Sequence, residues 1–274
     1  MSVKSRRSLL FAAGALLATV AVAVPVVVST ASAQGDANQS GNTPRIVGGN
    51  QASLGDHPYA VFLADSGGNQ YCGAVIVSST AVATAAHCAL ALSKSDARVV
   101  AGRQDKRTDD GVVLRVSRVW VSKAYRDPTR GSDVAVLTVS GQLPYRPAKL
   151  PDSGDAGLYR EGTDATVLGW GRIADGGDRS NYLRSAVVPM VNDQDCKADY
   201  DVYDARTMAC AGYKEGGIDA CQGDSGGPLV VGDTLVGLVS FGDGCGKAGK
   251  PGVYTRVAAF ADDIAQQAEP RLFG

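Results

Sequence analysis

The stretch Gly223-Asp224-Ser225-Gly226-Gly227-Pro228 is where this sequence is best equipped to make and break bonds. Glycines on both sides of a serine let the backbone approach a reacting carbonyl with its N–H groups free, as an oxyanion hole requires. The hydroxyl is a weak nucleophile until a base takes its proton. The chain has two histidines to choose from, His57 and His87. His87 lies in Thr84-Ala85-Ala86-His87-Cys88, at the end of a run of small strand residues and beside a cysteine able to tether it, and is read as the base. His57, in Gly55-Asp56-His57-Pro58, sits in a polar turn and is read as a solvated surface side chain. An acid is then needed to fix the imidazole tautomer and stabilise the imidazolium. Asp133 fits, because it leads directly into the apolar run Val134-Ala135-Val136-Leu137. Without the other two residues it would read as a turn aspartate ahead of a strand.

The motif also satisfies the Gly-x-Ser-x-Gly elbow of α/β-hydrolases, but that fold needs its histidine after the serine, and none follows Ser225. The order His, Asp, Ser also differs from the subtilisin order of Asp, His, Ser. Metal chemistry is disfavoured. There is no Cys-x-x-Cys, and the two histidines lie far apart with no zinc-type spacing. Asp105, Asp109 and Asp110 form an acidic loop whose spacing matches no calcium-binding loop, so it reads as a solvated turn. No cofactor or metal is expected.

The elements that must position these side chains are short strands. The chain carries 34 glycines and 6 % aromatics, and its Val-, Ile- and Ala-rich runs recur at 59–64, 71–77, 81–85, 98–101, 112–121, 134–139, 165–169, 186–191, 229–231, 235–241 and 252–257. Gly, Asp, Ser or Pro separates most of them, which predicts an all-β fold of barrels or a sandwich. Residues 143–157, with Pro144, Pro147, Pro151 and Gly154, read as a crossing segment between two lobes. Only the tail reads as a helix: Val257, Phe260, Ala261, Ile264, Ala265 and Ala268 recur at three- and four-residue steps, predicting a helix over about 257–268 docked on the second lobe.

The N-terminus carries an address. Lys4, Arg6 and Arg7 precede an apolar run at 9–28, and Ala31-Ser32-Ala33 offers a signal peptidase its small residues. A retained membrane anchor is the alternative, since about twenty apolar residues span a bilayer, but Pro25 and the Ala-Ser-Ala step argue against it. Ser5-Arg6-Arg7 loosely resembles a twin-arginine signal, with the general secretory route preferred. Residues 34–45 are polar and nearly free of apolar side chains, so they cannot bury themselves and read as a pro-segment ending at Arg45. Six cysteines in an exported chain imply three disulfides, and six allow fifteen pairings that spacing alone does not choose among. With 27 basic and 28 acidic residues, the chain has no field to gather nucleic acid or an anionic membrane.

Ile46-Val47-Gly48-Gly49, Thr84-Ala85-Ala86-His87-Cys88, Asp133-Val134-Ala135-Val136-Leu137 and Gly223-Asp224-Ser225-Gly226-Gly227-Pro228 together resemble the chymotrypsin-like serine proteases, trypsins in particular. The resemblance runs from Ile46 to about Ala268. It implies two six-stranded antiparallel β-barrels, the first over about 46–150 and the second over about 151–256, a C-terminal α-helix, and a cleft between the barrels holding His87, Asp133 and Ser225. It also implies disulfides Cys72–Cys88, Cys196–Cys210 and Cys221–Cys245, a lean set similar to that of actinomycete trypsins. Asp219 matches the carboxylate at the bottom of the primary pocket, which takes Arg or Lys, and Gly242 and Gly252 match the pocket-wall glycines. Ser240, Phe241 and Gly242 would offer backbone groups to an extended substrate, with Phe241 standing where many relatives carry tryptophan. By the same resemblance, cleavage after Arg45, itself a trypsin-type site, would free the Ile46 ammonium to pair with Asp224 and order the oxyanion loop formed by Gly223 and Ser225.

The expected protein is therefore a secreted monomeric endopeptidase made as a zymogen. Its partners would be protein or peptide substrates with Arg or Lys and protein inhibitors, with neither nucleic acid nor, once the leader is removed, a membrane. Two other readings share the scaffold: a catalytically inactive binding protein, which loss of a triad residue would signal, and an esterase-type acyl hydrolase, against which the acidic pocket floor at Asp219 argues.

Overall fold

The structure, a computed structural model, describes residues 46–152 and 154–269. The leader at 1–33 and the spacer at 34–45, with Arg45, lie outside the described residues. Among the described residues thirteen strands are formed: β1 (Asn50–Gln51), β2 (Ala60–Ala64), β3 (Gln70–Ser78), β4 (Ala81–Thr84), β5 (Arg98–Ala101), β6 (Val112–Val121), β7 (Ala135–Val139), β8 (Asp164–Gly169), β9 (Arg184–Val191), β10 (Met208–Ala211), β11 (Pro228–Val231), β12 (Thr234–Phe241) and β13 (Gly252–Arg256). Accompanying them are the α-helices α1 (Ala86–Ala91), α2 (Asp193–Asp199) and α3 (Ala261–Ala268). Among the described residues no helix is long and apolar enough to cross a membrane.

The strands close into two six-stranded antiparallel barrels, ordered β2-β3-β4-β7-β6-β5 and β8-β9-β10-β13-β12-β11. The side-chain period of two is plainest in β9, where Ala186, Val188 and Met190 turn into the barrel and Val187 stays exposed. Closure removes the free edges that short strands of this kind would otherwise present. The N-terminal residues depart from the expected division at about 150, since β1 pairs with β9 and so attaches to the second barrel. Phe62 on β2 meets Trp170, just past β8, edge to face at 5.2 Å and joins the two cores. Such a pair contributes about 0.5–1.5 kcal/mol beyond its area.

The tail corrects one expectation. A single 3-10 turn, Val257–Ala259, precedes α3, and the apolar stripe of Phe260, Ile264 and Ala268 packs into the core cluster of the first barrel, against β3, β4 and β7, not on the second. Polar contacts hold it there. Arg118 on β6 donates to Gln267 Oε1 at 2.6 Å and to its carbonyl at 2.5 Å, satisfying a helix-end acceptor, and Ser78 Oγ donates to the Ala268 carbonyl at 2.9 Å. The chain that completes the second barrel thereby clasps the first.

Disulfides join Cys72 to Cys88, Cys196 to Cys210 and Cys221 to Cys245. Cys72–Cys88 ties β3 to α1, the element carrying His87, and Cys221–Cys245 ties the serine loop to the segment after β12. The tight groups Cys72/His87/Cys88 and Asp175/Cys221/Cys245 draw their sulfurs from these bridges, so no thiolate is there to hold a metal.

Candidate active site

His87 sits in the first turn of α1, immediately after β4. Its backbone N–H donates to Asp133 Oδ1 at 3.0 Å, and its Nδ1 lies 2.8 Å from Asp133 Oδ2. A carboxylate can only accept, so this pairing puts the ring proton on Nδ1 and leaves the Nε2 lone pair free. Asp133 is 1 % exposed and its carboxylate takes one further bond, from Ser240 Oγ at 2.6 Å. Thr255 Oγ1 adds a bond to the Asp133 carbonyl at 2.6 Å. Three donors on the two oxygens of this buried carboxylate fix its orientation.

Ser225 is brought against the same corner by the backbone. Its carbonyl accepts from Gly73 N–H at 2.8 Å and lies 3.4 Å from Cys88 Sγ, one residue beyond His87. A Cβ at Gly226 would stand 2.1 Å from Thr84 Oγ1, so glycine is what lets the serine turn close onto the end of β4. Among the described residues no hydrogen bond links the His87 ring to the Ser225 hydroxyl; catalytic contacts of this kind are often loose before substrate binds. Asp224 and Gly226 use their N–H groups within the fold, at 2.9 Å to Cys221 O and 2.7 Å to Val239 O. Those of Gly223 and Ser225 have no hydrogen-bond partner among the described residues. Two unspent donors beside a serine hydroxyl are what an oxyanion would need.

A cavity of about 210 Å³ opens beside Ser225, and Asp219, Gln222, Phe241, Gly242, Gly252 and Tyr254 are among its lining residues. Asp219 is 4 % exposed. Its Oδ2 accepts from Gly246 N–H at 3.0 Å, whereas Oδ1 is buried with no hydrogen-bond partner, as is the neighbouring Tyr254 hydroxyl. Burial, reinforced by the charge of Asp224, pushes the Asp219 carboxyl up to about 7, and burial holds the Tyr254 phenol neutral. A Cβ at Gly252 would stand 2.8 Å from Asp219 Oδ1, so any larger residue would close the floor, while a Cβ at Gly242 would meet only Gly244 O at 3.4 Å and leaves the wall open. Phe241 packs edge to face on Tyr200 at 5.9 Å.

Ile46 is fully buried in the second barrel's core, and the Val47 carbonyl accepts from Asp219 N–H at 3.1 Å. Asp224 is also wholly buried; its oxygens take N–H bonds from Gly171 at 2.7 Å and Cys221 at 3.0 Å, and burial pushes its carboxyl up to about 6. His57 differs from its expected solvated state. It is half-buried, its Nδ1 lies 3.0 Å from Tyr59 Oη, and burial lowers its pKa. Asp105 pairs with Arg107, which holds its carboxyl down at about 2. Sequence reasoning missed the Ser240 hydroxyl, Thr255 and Tyr254. Spacing carries no signal for them, since Ser240 stands 107 residues from its partner.

Two closed barrels, an aspartate–histidine pair at the end of one and a serine loop from the other beside a pocket lined by a buried carboxylate define a two-barrel serine endopeptidase. Residues 46–264 match the family model described as Trypsin. Over 222 residues the chain is 44 % identical to "Trypsin" of Saccharopolyspora erythraea, covering 81 % of this chain and 97 % of the relative. It is 40 % identical to "Trypsin 5G1" of Aedes aegypti, over 81 % of this chain and 84 % of that one, and 36 % identical to "Trypsin-1" of Astacus astacus, over 81 % and 100 %. The chain belongs to the trypsin family and is a trypsin-like serine endopeptidase.

Proposed function

We propose that this chain is exported as a zymogen, is cut between Arg45 and Ile46, and then hydrolyses peptide bonds after Arg or Lys through an acyl-enzyme on Ser225. The observation that carries the specificity is the buried, unpartnered Oδ1 of Asp219 at the floor of a pocket that Ser225 also lines. A buried carboxylate lacking one partner is costly, and a guanidinium or ammonium from a substrate supplies both the charge and the missing donor.

The chemistry follows from the protonation state set by Asp133. With the proton on Nδ1, His87 Nε2 takes the Ser225 hydroxyl proton as Oγ forms a bond to the scissile carbonyl carbon. The carbonyl oxygen becomes an oxyanion facing the N–H groups of Gly223 and Ser225. His87 then gives its proton to the leaving amine as the C–N bond breaks, and a water repeats the sequence to release the acid and restore Ser225. Asp133 stays ionised throughout and stabilises the imidazolium. Backbone groups of Ser240, Phe241 and Gly242, along one side of the pocket, would align an extended substrate.

Activation uses Asp224. The carboxylate is fully buried and accepts from two backbone N–H groups, those of Gly171 and Cys221. An ammonium freed at Ile46 would complete its pairing and hold Gly223 and Ser225 in place. Export is supported by the basic and apolar leader with its Ala-Ser-Ala step and by three disulfides suited to an oxidising compartment. Protein inhibitors presenting an exposed Arg or Lys would fit the same pocket. Treating the processed enzyme with a serine-directed phosphonate and mapping the adduct tests the assignment, together with rates on arginine and phenylalanine peptides. Label away from Ser225 overturns the mechanism, and preference for phenylalanine overturns the specificity.

A further inference from the structure

The carbonyls of the serine loop are held one by one. Those of Cys221, Gln222, Asp224 and Ser225 accept from the backbone N–H groups of Asp224, Arg172, Gly227 and Gly73 at 2.9, 2.9, 2.8 and 2.8 Å. The Gly223 carbonyl is held differently, by a side chain from the other barrel: Gln70 Nε2 donates to it at 2.7 Å. Gln70 opens β3, is 5 % exposed, and stands 153 residues from Gly223 in the chain. The carbonyl it grips belongs to the residue with φ +102, whose own N–H is one of the two unspent donors beside Ser225.

A buried amide side chain can face either way, and here a second residue decides. Lys106 Nζ lies 3.1 Å from Gln70 Oε1 and 3.4 Å from the Trp170 carbonyl. An ammonium has only donors, so the amide oxygen must turn to it and the amide nitrogen must turn to Gly223. Arg179 adds a bond to the Gln70 backbone carbonyl and lines the other side of Gly223, its Nε 3.1 Å from where a Cβ would stand. Burial draws the Lys106 ammonium down to about 8, against the pull of Asp224.

We propose that Gln70 and Lys106 are positioning residues for the oxyanion hole: Lys106 fixes the amide orientation of Gln70, and Gln70, by anchoring the Gly223 carbonyl, sets the torsions that aim the Gly223 N–H at the reacting oxygen. This rests on the reading of Gly223 and Ser225 as oxyanion donors. It makes the first barrel, which supplies His87 and Asp133, responsible for the shape of the donor loop as well.

The test uses the processed enzyme with Gln70→Glu, Gln70→Leu, Lys106→Met and Lys106→Arg. Glu keeps the partner of Lys106 but turns an acceptor toward the Gly223 carbonyl, and Leu removes both of these bonds together with the 3.4 Å bond from Gln70 Nε2 to the Cys72 carbonyl. Losing an oxyanion donor outright costs roughly 10²–10³ in kcat. Here the donor remains but is misaimed, so about a tenfold loss of kcat is expected in Gln70→Glu and Gln70→Leu, with KM on an arginine peptide anilide within about twofold. A peptide arginal, whose hemiacetal oxygen occupies the hole, should weaken in step with kcat/KM. Benzamidine, which reaches only the Asp219 pocket, should bind as before. Lys106→Met should show a smaller version of the same split and Lys106→Arg should restore it, which keeps the test decisive if the buried Gln70 variants fail to fold. Full kcat and unchanged arginal affinity in the folded variants overturn the proposal, as does equal weakening of arginal and benzamidine, which means general loosening. If wild-type enzyme binds the arginal no more tightly than benzamidine, the oxyanion reading itself has failed.

Discussion

Replacing Asp219 with serine removes the carboxylate whose Oδ1 is buried without a partner, while keeping a small polar residue on the pocket floor. A substrate guanidinium would then be desolvated in that slot with no counter-charge. Removing one partner of a buried pair costs about 3–5 kcal/mol, which at about 1.4 kcal/mol per power of ten is a fall of roughly 10²–10⁴ in kcat/KM for an arginine substrate. A phenylalanine substrate has no charge to lose and should be turned over as before or better. The pH axis gives an independent figure. In the free enzyme burial places the Asp219 carboxyl at about 7, whereas an ordinary aspartate sits near 3.9. Since a cation selects the ionised form, binding must draw the proton off. Returning the carboxyl to its ordinary range would correspond to about 4 kcal/mol, in line with the substitution. Affinity for benzamidine should therefore be near its plateau above pH 8 and fall up to tenfold per unit below about 7. Inhibition constants between pH 5.5 and 8.5 measure this without the proton transfers of His87 that complicate rates, and rates on paired arginine and phenylalanine anilides measure the substitution. Arginine kcat/KM within tenfold of wild type in Asp219→Ser, or a flat benzamidine profile, would refute the reasoning.

Arg45→Gln should yield an exported precursor inert toward arginine substrates, whereas active wild-type protein should begin at Ile46 on N-terminal sequencing; full activity in the uncut variant counts against activation at this bond. Asp133→Asn would offer an amide donor to Nδ1 and drive the imidazole proton to Nε2, so kcat should fall about 10⁴ with KM little changed, and phosphonate labelling should slow in parallel. Ser240→Ala removes the 2.6 Å bond to Asp133 Oδ2 but leaves the two from His87. A hydrogen bond to a charged group contributes about 1.5–3 kcal/mol, so kcat should drop by a factor of roughly ten to a hundred; an unchanged kcat would mean that the Ser240 hydroxyl does not support the acid.

Most of the barrels can be read from local pattern, because each strand carries its own alternation and its own turn residues. The run at 112–121 matches β6 to the residue, and 98–101 matches β5. Two strands lack that signal: β1 is the polar pair Asn50–Gln51, and β10, Met-Ala-Cys-Ala, has no β-branched residue. Among the helices only α3 is expected from the sequence: α1 has no side-chain cap, and α2 is too short to show a period, although the Asn192 side chain caps it by accepting from Asp195 N–H at 2.8 Å. The docking of α3 on the first barrel is not legible in the sequence, because an apolar stripe says that a face will be buried, not against what; Arg118 and Ser78, far off in the chain, decide it. The site follows the same division. His87, Asp133 and Ser225 stand out as candidates from their neighbours and chain order, and the fold sets His87 beside Asp133, whereas the contacts of Gln70, Lys106 and the Ser240 hydroxyl span separations for which a sequence has no local mark.

Ile46 adopts φ +42. A β-branched L-residue is rarely found there, at a cost of order 1–3 kcal/mol. Hydrolysis of the bond ahead of Ile46 removes the torsion itself, since φ exists only while that bond does. The proposed cut would then act twice in one event, creating a charge for Asp224 and erasing a steric objection to the posture in which Ile46 is tucked away. Rejoining the two pieces would have to reinstate both penalties, so maturation would behave as a ratchet.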